Sequence, residues 1–259
     1  MNIGDVVTLP YDNKLSLIKI LRIDNDAKIG DTFHCLTYAY QDILPSLADV
    51  DSLEILNYHA PMAAEPIIAG GSVIGNIAVS EDSLVGYYYY LKHTNFARYA
   101  KETRQNIDAI IAIAQDHYIK ANQLSKQNKF SEAIIEYDFA IDLFPLFYEA
   151  IDNKGLTKMD MGEFNEAIVD FEHSIILNPT NYIALFSKGE CYEKLKEFDK
   201  AENVYREGLI KFPQHEATFS KFLNVVKLKN SVVSISSDKA LASIKTLSNK
   251  KPWWNFWAN

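Results

Sequence analysis

The chain has 259 residues, is 48% hydrophobic and 23% charged, and carries a formal net charge of −8, values of an ordinary globular protein with room for two domains. The opening Met1-Asn2-Ile3-Gly4-Asp5 lacks a basic stretch leading into an apolar run, and no segment reaches the roughly 18 apolar residues of a membrane helix, so a cytoplasmic location without membrane contact is expected. The acidic balance argues against nucleic acid, whose phosphates it would repel, and favours a basic partner.

The first hundred residues predict a small, largely antiparallel sheet. Asp5–Leu9, Leu15–Ile23, Thr32–Tyr40, Leu53–Tyr58 and Ser72–Val79 are β-branched or aromatic runs. Turn chemistry separates them at Asp12-Asn13, Asp24-Asn25-Asp26, Ile29-Gly30-Asp31 and Gly70-Gly71. Ser80 is placed to cap a helix reaching about Lys92, with Glu81 and Asp82 at its positive end. Tyr87 to Tyr90 circle that helix and cannot all face one core, so some of them meet a second surface, either the first hairpin that follows or a partner. Gly4-Asp5-Val6-Val7-Thr8-Leu9-Pro10, followed by the hairpin-like Leu17-Ile18-Lys19-Ile20-Leu21, is similar to small β-rich immunity proteins that accompany bacterial toxins. That similarity covers about twenty-five residues and carries no functional residue with it.

Chemistry-bearing clusters are not expected in this region. The six histidines, His34, His59, His93, His117, His173 and His215, include no pair at i, i+4 with a nearby carboxylate. His34 and Cys35 are adjacent on a strand and point to opposite faces, which separates them as base and nucleophile. Gly70-Gly71-Ser72-Val73-Ile74-Gly75 lacks the phosphate-cradle pattern and reads as a loop, and His59-Ala60-Pro61 reads as a turn. Cys35 and Cys191 fall in different proposed domains, so no disulfide framework is expected. No cofactor, metal or catalytic residue is assigned.

From about Ala114 to His215 the sequence repeats every 34 residues. The columns are Ala133/Ala167/Ala201, Ala121/Gly155/Gly189, Phe130/Phe164/Phe198, Tyr137/Phe171/Tyr205 and Pro145/Pro179/Pro213. Small residues let antiparallel helices approach, aromatic residues fill the space between hairpins, and proline stops the second helix. These columns resemble the tetratricopeptide repeat (TPR), with departures: His117, Ile151 and Leu185 stand where the family often has Trp, and Lys158 interrupts a column held by Leu124 and Tyr192.

The resemblance implies that the first helix of each hairpin lines a concave wall. It places there Tyr118, Asn122 and Ser125, then Asp152, Asn153, Leu156 and Met159, then Phe186, Glu190 and Glu193. One use of this wall in the family is a clamp on a C-terminal carboxylate, made by basic residues and two asparagines. Asn122 and Asn153 fit it, but Tyr118, Ile183 and Ser187 occupy the basic positions, so the clamp is absent. An apolar strip beside carboxylates remains, suited to a segment carrying aliphatic and Lys or Arg residues.

Beyond the repeats, a helix from Glu216 through Phe219, Phe222, Leu223 and Val226 is expected to cap the array. A second helix-like stretch spans Asp238–Ile244, and Lys250-Lys251-Pro252-Trp253-Trp254-Asn255-Phe256-Trp257 lies close to the last residue, Asn259. This basic end has three readings: it folds back on the acidic array, lies at a membrane surface, or docks elsewhere.

The expected fold is α+β, with a small β-rich domain over 1–104, an α-solenoid of three TPR hairpins with a capping helix over 105–230, and a basic, Trp-rich tail over 231–259. The expected function is non-catalytic protein binding, as an immunity protein that neutralises a basic toxin or effector domain, or alternatively as an adaptor or co-chaperone scaffold.

Overall fold

The computed structural model describes residues 1–231 apart from Asp26 and Ile29, so the expectations for 238–244 and for Trp253–Trp257 lie outside the described residues. Its internal contacts divide the chain into two units, Met1–Ile107 and Asp108–Asn259.

In the first unit, β1 (Asp5–Tyr11), β2 (Lys14–Asp24), β3 (Thr32–Tyr38), β4 (Ile55–Ala63) and β5 (Ser72–Asn76) form one antiparallel sheet in the order β4-β3-β2-β1-β5. The β1–β2 turn is tight because Asp12 takes φ 51°, a left-handed conformation that Asp tolerates better than most residues. Period-2 alternation then sorts the strands into two buried faces. Val7, Ile18, Ile20, Phe33 and Cys35 pack with Ala64 and Ile67 of α1 (Ala64–Gly70). Val6, Leu17, Leu21, Leu36 and Tyr38 pack with Val50, Leu84, Tyr87 and Leu91 on the other face. His34 and Cys35 therefore do face apart, and both are buried.

Two local expectations change. His59-Ala60-Pro61 is not a turn but the continuation of β4, where Ala60 pairs with Cys35 and Pro61 with His34. Proline is accommodated because β4 is an edge strand with one free side. The expected helix after Ser80 opens as a 3-10 turn, Asp82–Leu84, with the Ser80 hydroxyl accepting from the Ser83 amide at 3.3 Å. It becomes α2 (Val85–Thr94), followed by α3 (Phe96–Glu102), capped by Asn95. Of the four tyrosines, Tyr87 is fully buried, Tyr88 and Tyr90 lie partly buried against the same core, and Tyr89 is exposed.

The second unit is a run of hairpins. α4 (Ile107–Lys126) pairs with α5 (Phe130–Leu143), α6 (Tyr148–Met161) with α7 (Phe164–Leu177), and α8 (Tyr182–Lys194) with α9 (Phe198–Lys211). Each second helix opens on the phenylalanine of its column. Each closes at Phe144, Asn178 or Phe212 in an extended conformation before a proline, whose ring disfavours helix at the preceding residue. The turns inside the hairpins need a left-handed residue, and Asn128, Gly162 and Lys196 take φ 60°, 81° and 62° at the same 34-residue step.

Three successive cores hold the array. They are built around Tyr137, Phe171 and Tyr205, each at most 1% exposed and flanked by the fully buried Ala133, Ala167 and Ala201. Helices α5 to α9 pack on their neighbours in sequence, α4 packs on α5 through Ala121, Ala133 and Tyr137, and α5 makes no substantial packing with α8 or α9 among the described residues. That is the pattern of a solenoid rather than a bundle around one centre. A 3-10 turn, Pro213–His215, leads into a helix over 216–231 whose Phe219, Leu223 and Val226 seal the last core.

Candidate partner-binding site

The first helices α4, α6 and α8 carry the wall residues, and the structure sorts them into three local groups. In the first, Tyr118, Asn122 and Asn153 are joined directly. The Asn153 side-chain amide donates to the Tyr118 hydroxyl and to the Asn122 carbonyl oxygen, both at 2.9 Å, and the Tyr137 hydroxyl donates to the same Asn122 oxygen at 2.7 Å. Ser125 meets the Thr157 hydroxyl at 3.2 Å. A closed network of this kind fixes its side chains and offers few unused donors or acceptors to a ligand.

In the second group, Asp152 accepts from the Asn181 side-chain amide, and Asn181 also caps α8. Burial raises the Asp152 carboxyl above the ordinary carboxylate range, against the lowering effect of Ser174 and Asn181. Its second oxygen is buried without a hydrogen bond among the described residues. Leu156 and Met159 are partly buried against Ala167, Ile168, Phe171 and Cys191, so they act largely as core. The Cys191 thiol is pushed up to about 12 by burial and is chemically inert.

The third group sits beneath the capping helix. Phe186 packs edge-to-face on Phe222 at 4.7 Å and contacts Phe219 and Tyr205. Glu193 accepts from the Tyr205 hydroxyl at 2.8 Å and from Lys229 at 2.7 Å. Glu190 has no hydrogen bond or ion pair among the described residues, and burial followed by the nearby Glu193 raises its carboxyl above the ordinary range. It lines a recess of about 190 Å³ with Glu193, Lys194, Phe222 and Lys229.

Tyr137 belongs to one of the repeat columns, whereas contacts from Asn181, Phe222 and Lys229 complete the wall and had no signal in the repeat register. A second set did. Lys120, Lys154 and Lys188 form a further column at the 34-residue step. Lys120 pairs with Glu136 at 2.7 Å, Lys154 with Asp138 at 2.8 Å and Asp170 at 3.5 Å, and Lys188 with Glu172 at 2.7 Å. Lys158, the departure from its apolar column, joins this ladder through Asp170 at 2.7 Å.

The first unit holds a dense polar cluster of its own. Arg98 grips Asp24 with two nitrogens at 2.5 and 2.8 Å and reaches Glu102 at 2.8 Å. The Arg98 bond, opposed by burial, holds the Asp24 carboxyl below its usual range. His34 Nε2 lies 3.2 Å from Asp24, and His34 Nδ1 lies 2.8 Å from His59 Nε2, so one ring must donate to the other. Burial and His34 push the His59 imidazole down to about 4. Arg22, 3.9 Å from Glu102, makes two cations against two carboxylates, and among the described residues no group of three or more His, Cys, Asp or Glu is arranged to hold a metal.

The tetratricopeptide repeat family model matches residues 158–221. Similar solved structures include the Arabidopsis OM64 TPR domain, at 19% identity over 46% of this chain and 97% of that one, with a TM-score of 0.43. The TPR2B domain of yeast Sti1 in its pHsp70 complex is 15% identical over 46% of this chain and 98% of that one, with a TM-score of 0.43. The Yersinia enterocolitica type III secretion chaperone SycD, in complex with a peptide of the translocator YopD, is 18% identical over 45% and 93%, with a TM-score of 0.42. No curated protein matches the sequence. Residues 158–221 thus match the tetratricopeptide repeat model, and the run of helical hairpins in the second unit is consistent with a tetratricopeptide-type solenoid.

Proposed function

We propose that this chain binds a partner protein through the wall of α4, α6 and α8, with the recess at Glu190 as its anchoring point. The observation that carries this reading is the half-buried Glu190 carboxyl, which has no hydrogen bond or ion pair among the described residues and lines an open recess beside Phe222. A carboxylate held in that setting gains most from a donor that a partner brings with it, because a charge-assisted bond formed away from water is stronger than one at an open surface. The finer reading is a toxin-neutralising immunity protein, in which the incoming toxin is basic. The net charge of −8 and the similarity of residues 4–21 to such immunity proteins support it.

The test is position-specific photo-crosslinking in the native host, with the crosslinker at Ile183, which is 48% exposed on α8, or at Ile210, which is 83% exposed on α9. One abundant protein should couple from position 183 and not from 210, and Glu190→Lys should remove it. A basic toxin domain as that protein supports the immunity reading, whereas many unrelated proteins would indicate an adaptor. Equal coupling from both positions would rule out the wall.

A further inference from the structure

Between Lys28 and Lys92 the sequence contains no lysine or arginine and eight carboxylates. The stretch supplies β3 and β4, with the 3-10 turns Leu47–Ser52 and Asp82–Leu84. These elements enclose a recess of about 340 Å³ in the first unit, lined by Tyr38, Asp51, Ile55, Tyr58, Asp82 and Ser83 among others.

Three features define what it accepts. The Tyr38 side chain is only 3% exposed, lines the recess, and has no hydrogen-bond partner among the described residues for its hydroxyl. The ring is buried while the residue lines the recess, so this hydroxyl is an available acceptor there. Asp51 and Asp82 both line the recess. Lys19, itself buried, lies 3.2 Å from the Oδ1 of Asp51, its one ion-pair partner among the described residues, and the Asp51 side chain is 63% exposed. One buried cation against two carboxylates leaves the recess negative. Tyr58, 55% exposed, adds an aromatic ring against which a cation can rest.

We propose that this recess binds a cationic side chain, arginine or lysine, of the partner protein. The inference deepens the reading of a basic protein partner and rests on it. A carboxylate pair, an unused phenol acceptor and a π face match a guanidinium or ammonium group carried on an aliphatic stem. An anionic group would be repelled by Asp51 and Asp82, and a neutral one would gain neither the ion pairs nor the cation–π contact.

The experiment is an amide NMR titration of the full chain with Nα-acetyl-arginine amide, and with its uncharged counterpart Nα-acetyl-citrulline amide. The arginine probe should move the Tyr58 and Ser83 resonances with a Kd on the order of 10 mM, as fits a single anchoring side chain without its protein. The citrulline probe should bind at least about fivefold more weakly. Asp82→Asn should weaken the arginine probe by about fivefold or more, and Tyr58→Leu by about two- to fivefold. Equal binding of the two probes, an unchanged Kd in Asp82→Asn, or no movement at all with the arginine probe would each overturn the proposal. A negative titration leaves the crosslink from position 183 standing. Loss of that crosslink with arginine binding intact would instead remove the wall.

Discussion

The side-chain amide of Asn153 donates to the side-chain oxygen of Asn122 at 2.9 Å, joining the first helices of two successive hairpins, while Tyr137 donates to the same oxygen from the second helix of the first hairpin. One acceptor thus serves two donors, and its loss weakens both, although Asn153 keeps its bond to Tyr118. Asn122→Ala should cost about 2–3 kcal/mol in urea unfolding, and Tyr137→Phe only about 1 kcal/mol, because deleting a donor leaves Asn122 its other bond. A double-mutant cycle on the two positions should give a coupling of at least about 0.5 kcal/mol, and additive effects would show that the network does not act as a unit.

Gly189→Ala should destabilise the array although alanine is the better helix former. An added Cβ would lie 2.4 Å from Tyr205 Cε1, a fully buried ring that also bonds Glu193 and has little freedom to move. Overpacking of this kind costs about 1–3 kcal/mol against a propensity gain of about 1 kcal/mol, so the sign is set by the clash. A thermal midpoint equal to or above that of the parent would contradict the packing described for this column.

Lys196→Gly should act in the opposite direction. Lys196 sits at φ 62° in the turn between α8 and α9, where the preceding hairpin has Gly162 and the first has Asn128. Relieving the left-handed strain of a side chain with a Cβ gains about 1–2 kcal/mol, partly offset by the greater backbone freedom of glycine when unfolded, for a net gain of roughly 0.5–1 kcal/mol. Differential scanning calorimetry of the two chains would measure it.

The His59 imidazole is held down at about 4 in the folded chain, below its ordinary value of 6.5. Its neutral form is therefore favoured by folding, and this contribution is fully present above pH 6.5. As pH falls from 6.5 towards 4, the unfolded chain takes up a proton that the folded chain refuses, and stability declines. The ring is only half-buried, so solvent screening limits the loss to on the order of 1 kcal/mol. His59→Gln should lack this component, so the urea midpoints of the two chains should converge as pH falls through that window, and parallel midpoints would show the assignment to be wrong.

The repeat array was legible because its determinants recur. Each of Ala133, Tyr137 and Pro145 has a counterpart 34 residues on, and a hairpin can bury its apolar face only against the next copy of itself. The strands of the first unit were legible from alternation, but α1 was not, since seven residues straight after an edge strand are too few to show a helical period. Pro61 read as a turn because a sequence does not reveal that its strand lies at an edge. The wall residues could be placed on their helices from register alone. Register could not show that Asn153 is bonded to Asn122, that Glu193 is occupied by Lys229, or that Phe186 is covered by Phe222.

What the sequence determined by itself was therefore everything set by period: the sheet followed by helical hairpins, the columns that hold them, and an acidic chain without the basic clamp. Only the tertiary structure decided which polar groups remain unused. Whether a carboxylate such as Glu190 or a phenol such as Tyr38 has a partner depends on residues brought beside it from distant segments, and hydrogen bonds and ion pairs act over a few ångströms of space whatever the separation along the chain.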